Sequence, residues 1–187
     1  YIQALVAFYT HHETVAHGVR VKRFLAAMEA LAERHPDDDE AQIGYAIMLN
    51  VAASPNDKTH AYQLKGAAIL EPIFTRQSRH PGVAHYLIHL YDYPPIAVRG
   101  LDAAKPYPEI APDAPHAQHM PSHIFTRVGY WKESIAGNIA SARAAKAANE
   151  LHDQLHAMDY MVYAYLQLAQ DREARSVVDE MVEIKGY

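Results

Sequence analysis

The chain has 187 residues, 50% hydrophobic and 21% charged, enough for one ordinary domain with a sizeable core or a short repeat array. A net charge of −5 without a long basic run argues against nucleic acid and anionic membrane surfaces as partners, and no apolar run approaches a bilayer span. The absence of cysteine excludes disulfides and thiolate metal sites and leaves cytoplasm and periplasm equally open.

The chain opens without Met, inside the amphipathic stretch YIQALVAFYTHHE, and reads as a fragment of a longer protein. The spacing predicts helices throughout. Within VKRFLAAMEALAERHP, Phe24, Leu25, Met28 and Leu31 form one stripe that Pro36 stops. DDDEAQIGYAIMLNVAASPND begins with acids suited to a helix N-terminus and ends at Ser54-Pro55-Asn56. KTHAYQLKGAAILEPIFTRQ reads as a long helix with Pro72 inside it. Then follow PGVAHYLIHLYDY, PIAVRGLDAAK, HMPSHIFTRVG, YWKESIAGNIASARAAKAANE, LHAMDYMVYAYLQLAQ and REARSVVDEMVEI. No segment alternates long enough for a convincing strand, and short polar or Pro-containing joints predict antiparallel helix pairs.

Thirteen histidines and thirteen tyrosines need an explanation, and the spacing of some of them supplies one. Pro81 to Pro115, His85 to His119 and His89 to His123 each span 34 residues, and Tyr91 and Phe125 keep that register. Gly100 then corresponds to Ser134 and Ala104 to Asn138. A third copy fits at an offset of 40, aligning Tyr165 with Phe125, Ala169 with Gly129 and Ala174 with Ser134, with the extra residues in a loop around Asn149–Asp153. A 34-residue period is that of two-helix repeats that stack a continuous core.

With those residues the chain resembles the tetratricopeptide repeat (TPR) superfamily, and especially an uncharacterised group of bacterial TPR-like proteins carrying stretches such as HPGVAHYLIHLYDYP and APHAQHMPSHIFTR. The matching features are the aromatics Tyr91, Phe125 and Tyr165, the turn Gly129, the small residues Gly100, Ser134 and Ala174, and Pro112. The usual Trp-x2-Leu-Gly opening is missing from every unit, and Pro106 and Pro108 stand where a second helix should continue, so that helix should end near Lys105. The resemblance implies an all-α fold, a TPR-like α-solenoid in which antiparallel helix pairs form a right-handed superhelix. It also implies one domain over 1–187, with approximate repeats 1–36 (truncated), 37–79, 80–113, 114–148 and 154–187.

The resemblance further implies a concave, ligand-binding wall on the first helix of each repeat. Counted from the aromatic, six before gives His85, His119 and Asp159; two before gives His89, His123 and Tyr163; one after gives Asp92, Thr126 and Leu166; nine before gives Gly82, His116 and His156. With Arg127, the expected groove is therefore lined by His85, His89, Asp92, His116, His119, His123, Arg127, His156, Asp159 and Tyr163. Histidines four apart on a helix are neighbours and can share one divalent ion, completed by a carboxylate from elsewhere. The expected ligands are His85, His89, His119, His123 and Asp159, with Asp92 as the other near carboxylate, and the ion one that accepts imidazole: Zn, Ni, Fe or Mn. Pro121 decides the geometry of the second pair. A helix starting near Gln118 keeps His119 and His123 on one face, and a helix starting at Pro121 leaves His119 in a loop.

The competing reading is a polar groove that takes a ligand's carboxylate or phosphate on His, Arg127 and Tyr hydroxyls. His11, His12, His17 and His60 are expected near helix ends, His35 and His80 as helix terminators, and His152 in the long loop. No phosphate loop, Ser elbow or matched nucleophile and base is present. The sequence thus favours a scaffold that binds a protein, peptide or small molecule, with a metal-dependent enzyme on the same His/Asp site as the alternative.

Overall fold

The computed structural model describes residues 1–185, so the last two residues of the expected repeat 154–187 lie outside the described residues. The described residues are all-α, without a strand among them, and none of their helices is long and apolar enough to cross a membrane. The chain divides into two compact units, Tyr1–Leu90 and Tyr91–Tyr187.

The first unit holds α1 (Ile2–Tyr9), α2 (His17–Arg34), α3 (Asp39–Ala52), α4 (Ala61–Arg76) and all but the last residue of α5 (Pro81–Tyr91). Consecutive helices pack on one another from α1 to α4. Their shared core gathers Val21, Met28 and Leu31 of α2 with Tyr45, Met48 and Leu49 of α3, and Phe24 and Leu25 of the expected stripe pack against it half-buried. Asp38 caps α3: its carboxylate accepts the Glu40 and Ala41 amides at 3.0 and 3.2 Å. His35 ends α2, as expected of it, but His80 starts a helix. Its Nδ1 accepts the Val83 amide at 3.2 Å while Nε2 meets Glu40 at 2.9 Å, so the ring satisfies an amide of the first turn of α5 that Pro81 cannot.

The second unit opens with a 3-10 turn at Ala97–Gly100, then α6 (Leu101–Ala104) and α7 (Tyr107–Ile110). The expected helix thus breaks at Lys105–Pro106, where proline removes an amide donor. Beyond lie α8 (Pro115–His119), α9 (Pro121–Val128), α10 (Trp131–Ala148), α11 (Leu151–Gln167) and α12 (Asp171–Glu183). Helix α10 is the hub, packed against α8, α9 and α11, while α12 packs on α11. Helix α9 also lies against the 3-10 turn. A Cβ on Gly100 would sit 2.7 Å from Ile124 Cδ1 and 3.0 Å from Tyr91 Cβ, so a side chain there would displace the helix that carries His123.

One link differs from the expectation. The long loop at Asn149–Asp153 is in fact two residues, Asn149 and Glu150, and His152 and Asp153 belong to the first turn of α11. Asn149 takes the left-handed conformation (φ 58°), which ends α10 sharply and lets α11 begin at once. Gly129 (φ 80°) makes the corresponding turn between α9 and α10, and Ala169 (φ 54°) the one after α11.

Candidate metal centre

Pro121 decides the local geometry, as the sequence suggests, and the outcome lies between the two alternatives. The chain is helical on both sides of Met120, whose own φ and ψ of −52° and −38° are helical, so α8 runs into α9 with only a hitch. His119 is the last residue of α8 and His123 lies in α9. The hitch costs little because each polar group finds a partner. The His123 amide turns to the Met120 carbonyl at 3.1 Å, and the His119 carbonyl it would otherwise use accepts the Ser122 hydroxyl at 2.6 Å. The two imidazoles therefore stay on one face, with their Nε2 atoms 3.1 Å apart.

Each of these rings is gripped from behind. His119 Nδ1 lies 2.7 Å from Asn138 Oδ1, on α10. The Asn138 amide nitrogen donates to the Ser134 carbonyl at 2.8 Å; because that carbonyl can only accept, the Asn138 oxygen must face the ring, and His119 Nδ1 must be the donor. His119 is 3% exposed and Asn138 and Ser134 are fully buried, so water has no part in this grip. His123 Nδ1 lies 2.9 Å from Asp92 Oδ2, whose other oxygen accepts Arg127 Nε at 2.8 Å. Burial pushes the Asp92 carboxyl up, but the hydrogen bonds and charges of His123 and Arg127 together outweigh it and hold its pKa below the usual value. Asp92 thus remains a carboxylate and makes His123 Nδ1 the donor.

With both Nδ1 atoms committed as donors, each ring in its neutral form presents an Nε2 lone pair, and the two lone pairs then face each other across 3.1 Å. Two acceptors at that distance repel unless a proton or a metal cation lies between them. Imidazole nitrogens around a tetrahedral zinc sit about 2.0–2.1 Å from the metal and so about 3.3 Å from one another.

A third imidazole joins them. One ring nitrogen from each of His119, His123 and His156 lies within 4.8 Å of the other two, the one such convergence of three among the described residues. His156 comes from α11, and its ring centroid is 4.5 Å from that of His119. Tyr160, one turn further along α11, sets its ring 4.6, 5.3 and 5.2 Å from those of His119, His123 and His156. Burial drives the His119 imidazole down to about 4, with the Asn138 bond opposing and the neighbouring histidines adding to the fall. Burial likewise lowers His116 and His156. His119 and His156 therefore stay neutral to lower pH than free imidazole, the form that binds metal.

The other expected residues fall as follows. His85 and His89 lie in the first unit, with their Nε2 atoms 3.0 Å apart, a close copy of the second pair. Asp92 holds the His123 ring from behind. Asp159 is not one of the converging groups; with Thr126, Arg127, Tyr160 and Tyr163 it lines a neighbouring cleft of about 280 Å³. His116 is exposed, its ring 6.4 Å from that of His119. Sequence reading missed Asn138 and Ser134 as supports. The available signal was Asn138 itself, a polar residue in the register position that Ala104 fills in the preceding copy.

Comparisons with protein-family models, curated proteins and solved structures give no match to this chain.

Proposed function

We propose that the chain is a TPR-like helical-repeat scaffold whose second unit binds one divalent metal ion through His119, His123 and His156. The observation that carries this reading is the pair of Nε2 atoms 3.1 Å apart, each ring held by a buried or half-buried partner at its Nδ1. Ligating histidines characteristically donate their second nitrogen to an amide oxygen or a carboxylate, as His119 and His123 do here. The all-nitrogen donor set suits Zn, Ni, Fe or Mn, of which zinc is the natural probe. The repeat part of the reading is supported by the 34-residue register, by the matching His85/His89 and His119/His123 pairs, and by the packing of consecutive helices within each unit.

Three protein ligands leave a tetrahedral ion one open position. That supports a second reading, a metal-dependent enzyme that activates water at that position. Untagged, chelator-stripped protein titrated with zinc chloride by calorimetry at pH 7.5 tests the first reading. One ion per chain is expected, with binding lost in His119→Ala and His123→Ala. No heat from wild type, or undiminished binding in both variants, overturns it. Hydrolysis of a p-nitrophenyl ester by the zinc form, absent in the stripped form, would favour the enzyme.

A further inference from the structure

The cleft beside the histidines has its own chemistry, which metal binding does not use. It is built from one face of α9 and one face of α11. Helix α9 supplies Thr126 and Arg127, and α11 supplies Asp159, Tyr160 and Tyr163. Arg127 bonds Asp92 through Nε alone, and its remaining N–H groups make no hydrogen bond among the described residues. Asp159 is exposed and makes no hydrogen bond or ion pair among them. The same space therefore holds a guanidinium with unused donors and a carboxylate with unused acceptors, and the two do not pair with each other. Phenol rings stand at its sides, and Tyr163 is backed by the edge of Trp131, ring centroids 5.6 Å apart.

A guanidinium with donors to spare and an unpaired carboxylate in one small cleft match a ligand that carries both charges itself. A guanidinium takes a carboxylate in a forked pair, a free carboxylate takes an ammonium, and an aromatic face adds cation–π attraction to the ammonium. A ligand with only a carboxylate would meet Asp159 as a like charge, and one with only an ammonium would meet Arg127. We propose that this cleft binds a small zwitterion, a free α-amino acid or a short peptide, with its carboxylate on Arg127 and its ammonium on Asp159. The cleft's volume of about 280 Å³ admits one or two residues of a peptide and not a folded domain. This goes beyond the metal reading and stands without it, since Asp159 and Arg127 are not among the converging nitrogens.

Trp131 is the only tryptophan in the chain, so its fluorescence reports on the Tyr163 wall. Metal-free protein is titrated with glycylglycine, and in parallel with N-acetylglycine, which lacks the ammonium, and glycinamide, which lacks the carboxylate. The expected result is a saturable signal with glycylglycine and at least tenfold weaker binding of the other two. Asp159→Asn and Arg127→Gln should each weaken glycylglycine at least tenfold. Because Arg127 also pairs with Asp92, the exposed Asp159→Asn is the decisive variant. No saturable signal, N-acetylglycine equal to glycylglycine, or unchanged affinity in Asp159→Asn overturns the proposal. Zinc calorimetry on Asp159→Asn keeps the two readings apart: zinc binding unaltered there while glycylglycine is lost is the expected pattern, and zinc binding lost with glycylglycine would show that the cleft is part of the metal site and refute its independence.

Discussion

Asn138→Leu is the sharpest perturbation of the site, because it changes nothing that would touch the ion. Asn138 is fully buried and makes three contacts: His119 Nδ1 at 2.7 Å, the Ser134 carbonyl at 2.8 Å and the Ser134 hydroxyl at 3.4 Å. Leucine is close in volume, so no large cavity opens. The helical carbonyl of Ser134 keeps its place in α10 and costs little when released. The His119 Nδ1–H loses its only acceptor in a buried setting, which costs about 1–3 kcal/mol. Added apolar burial returns about 1 kcal/mol, leaving a net loss of about 1–2 kcal/mol in urea unfolding. The second effect is on the ring's tautomer. Without Asn138 the proton is free to move to Nε2, which then ceases to be a ligand, and zinc affinity should fall about 10- to 100-fold. Ser134→Ala removes only the long hydroxyl contact and should change unfolding by less than about 0.5 kcal/mol. The assay is zinc calorimetry on variants shown by circular dichroism to be folded. Folded Asn138→Leu with wild-type zinc affinity would refute the claim that Asn138 sets the His119 tautomer.

Acid should weaken the metal-free protein through His119. Its folded pKa of about 4 lies below the unfolded value near 6.5, so the unfolded chain binds the extra proton between those limits; stability present above pH 6.5 is lost as pH falls toward 4, by about 3 kcal/mol in all. Urea midpoints measured across that range should show the slope, and His119→Phe should flatten it. Gly129→Val should destabilise more than His123→Ala. A side chain at Gly129 meets nothing nearer than Trp131 Nε1 at 3.9 Å, so the cost comes from φ of 80° alone, about 2 kcal/mol for a β-branched residue, against about 1 kcal/mol for the Asp92 bond that His123→Ala removes. A larger loss for His123→Ala in thermal melts would contradict this. Ala169→Gly should stabilise by about 0.5–1 kcal/mol, because an alanine at φ 54° carries the strain that Gly129 avoids in the corresponding turn; a destabilised variant would show that the alanine methyl packs usefully.

What could be read from the sequence was whatever depends on spacing along one helix. The stripe Phe24, Leu25, Met28 and Leu31, the acids before α3, the break at Lys105–Pro106 and the i, i+4 histidine pairs all follow from local periodicity and from what proline removes. The residues that complete the site come from other helices, and their roles depend on which residue faces which across a packed interface. The register sets His156 and Asp159 on the same expected wall, and only the turn of α11 about its axis, which no register measures, brings a His156 nitrogen rather than an Asp159 oxygen to the other two imidazoles. The loop at Asn149–Asp153 was overestimated because a non-glycine residue in the left-handed conformation leaves little trace in composition. Asn138 gives no local sign of its role for a similar reason: its partner is 19 positions away on a different helix.

The two-residue link at Asn149–Glu150 bears on how this chain can change over generations. Between His123 and His156 the chain must cross the whole of α10 and turn back within that link. Each residue added to or removed from a helix rotates everything beyond it by about 100° and shifts it by 1.5 Å. A single insertion anywhere in Trp131–Ala148, or a third residue in the link, would therefore swing the His156 ring away from its two companions while leaving every side chain chemically intact. Point substitutions on the outer face of α10 carry no such penalty. Drift on that outer face should thus be free in letters while the whole stretch stays frozen in length, and a library of single-codon deletions across it should lose zinc binding far more uniformly than a library of substitutions.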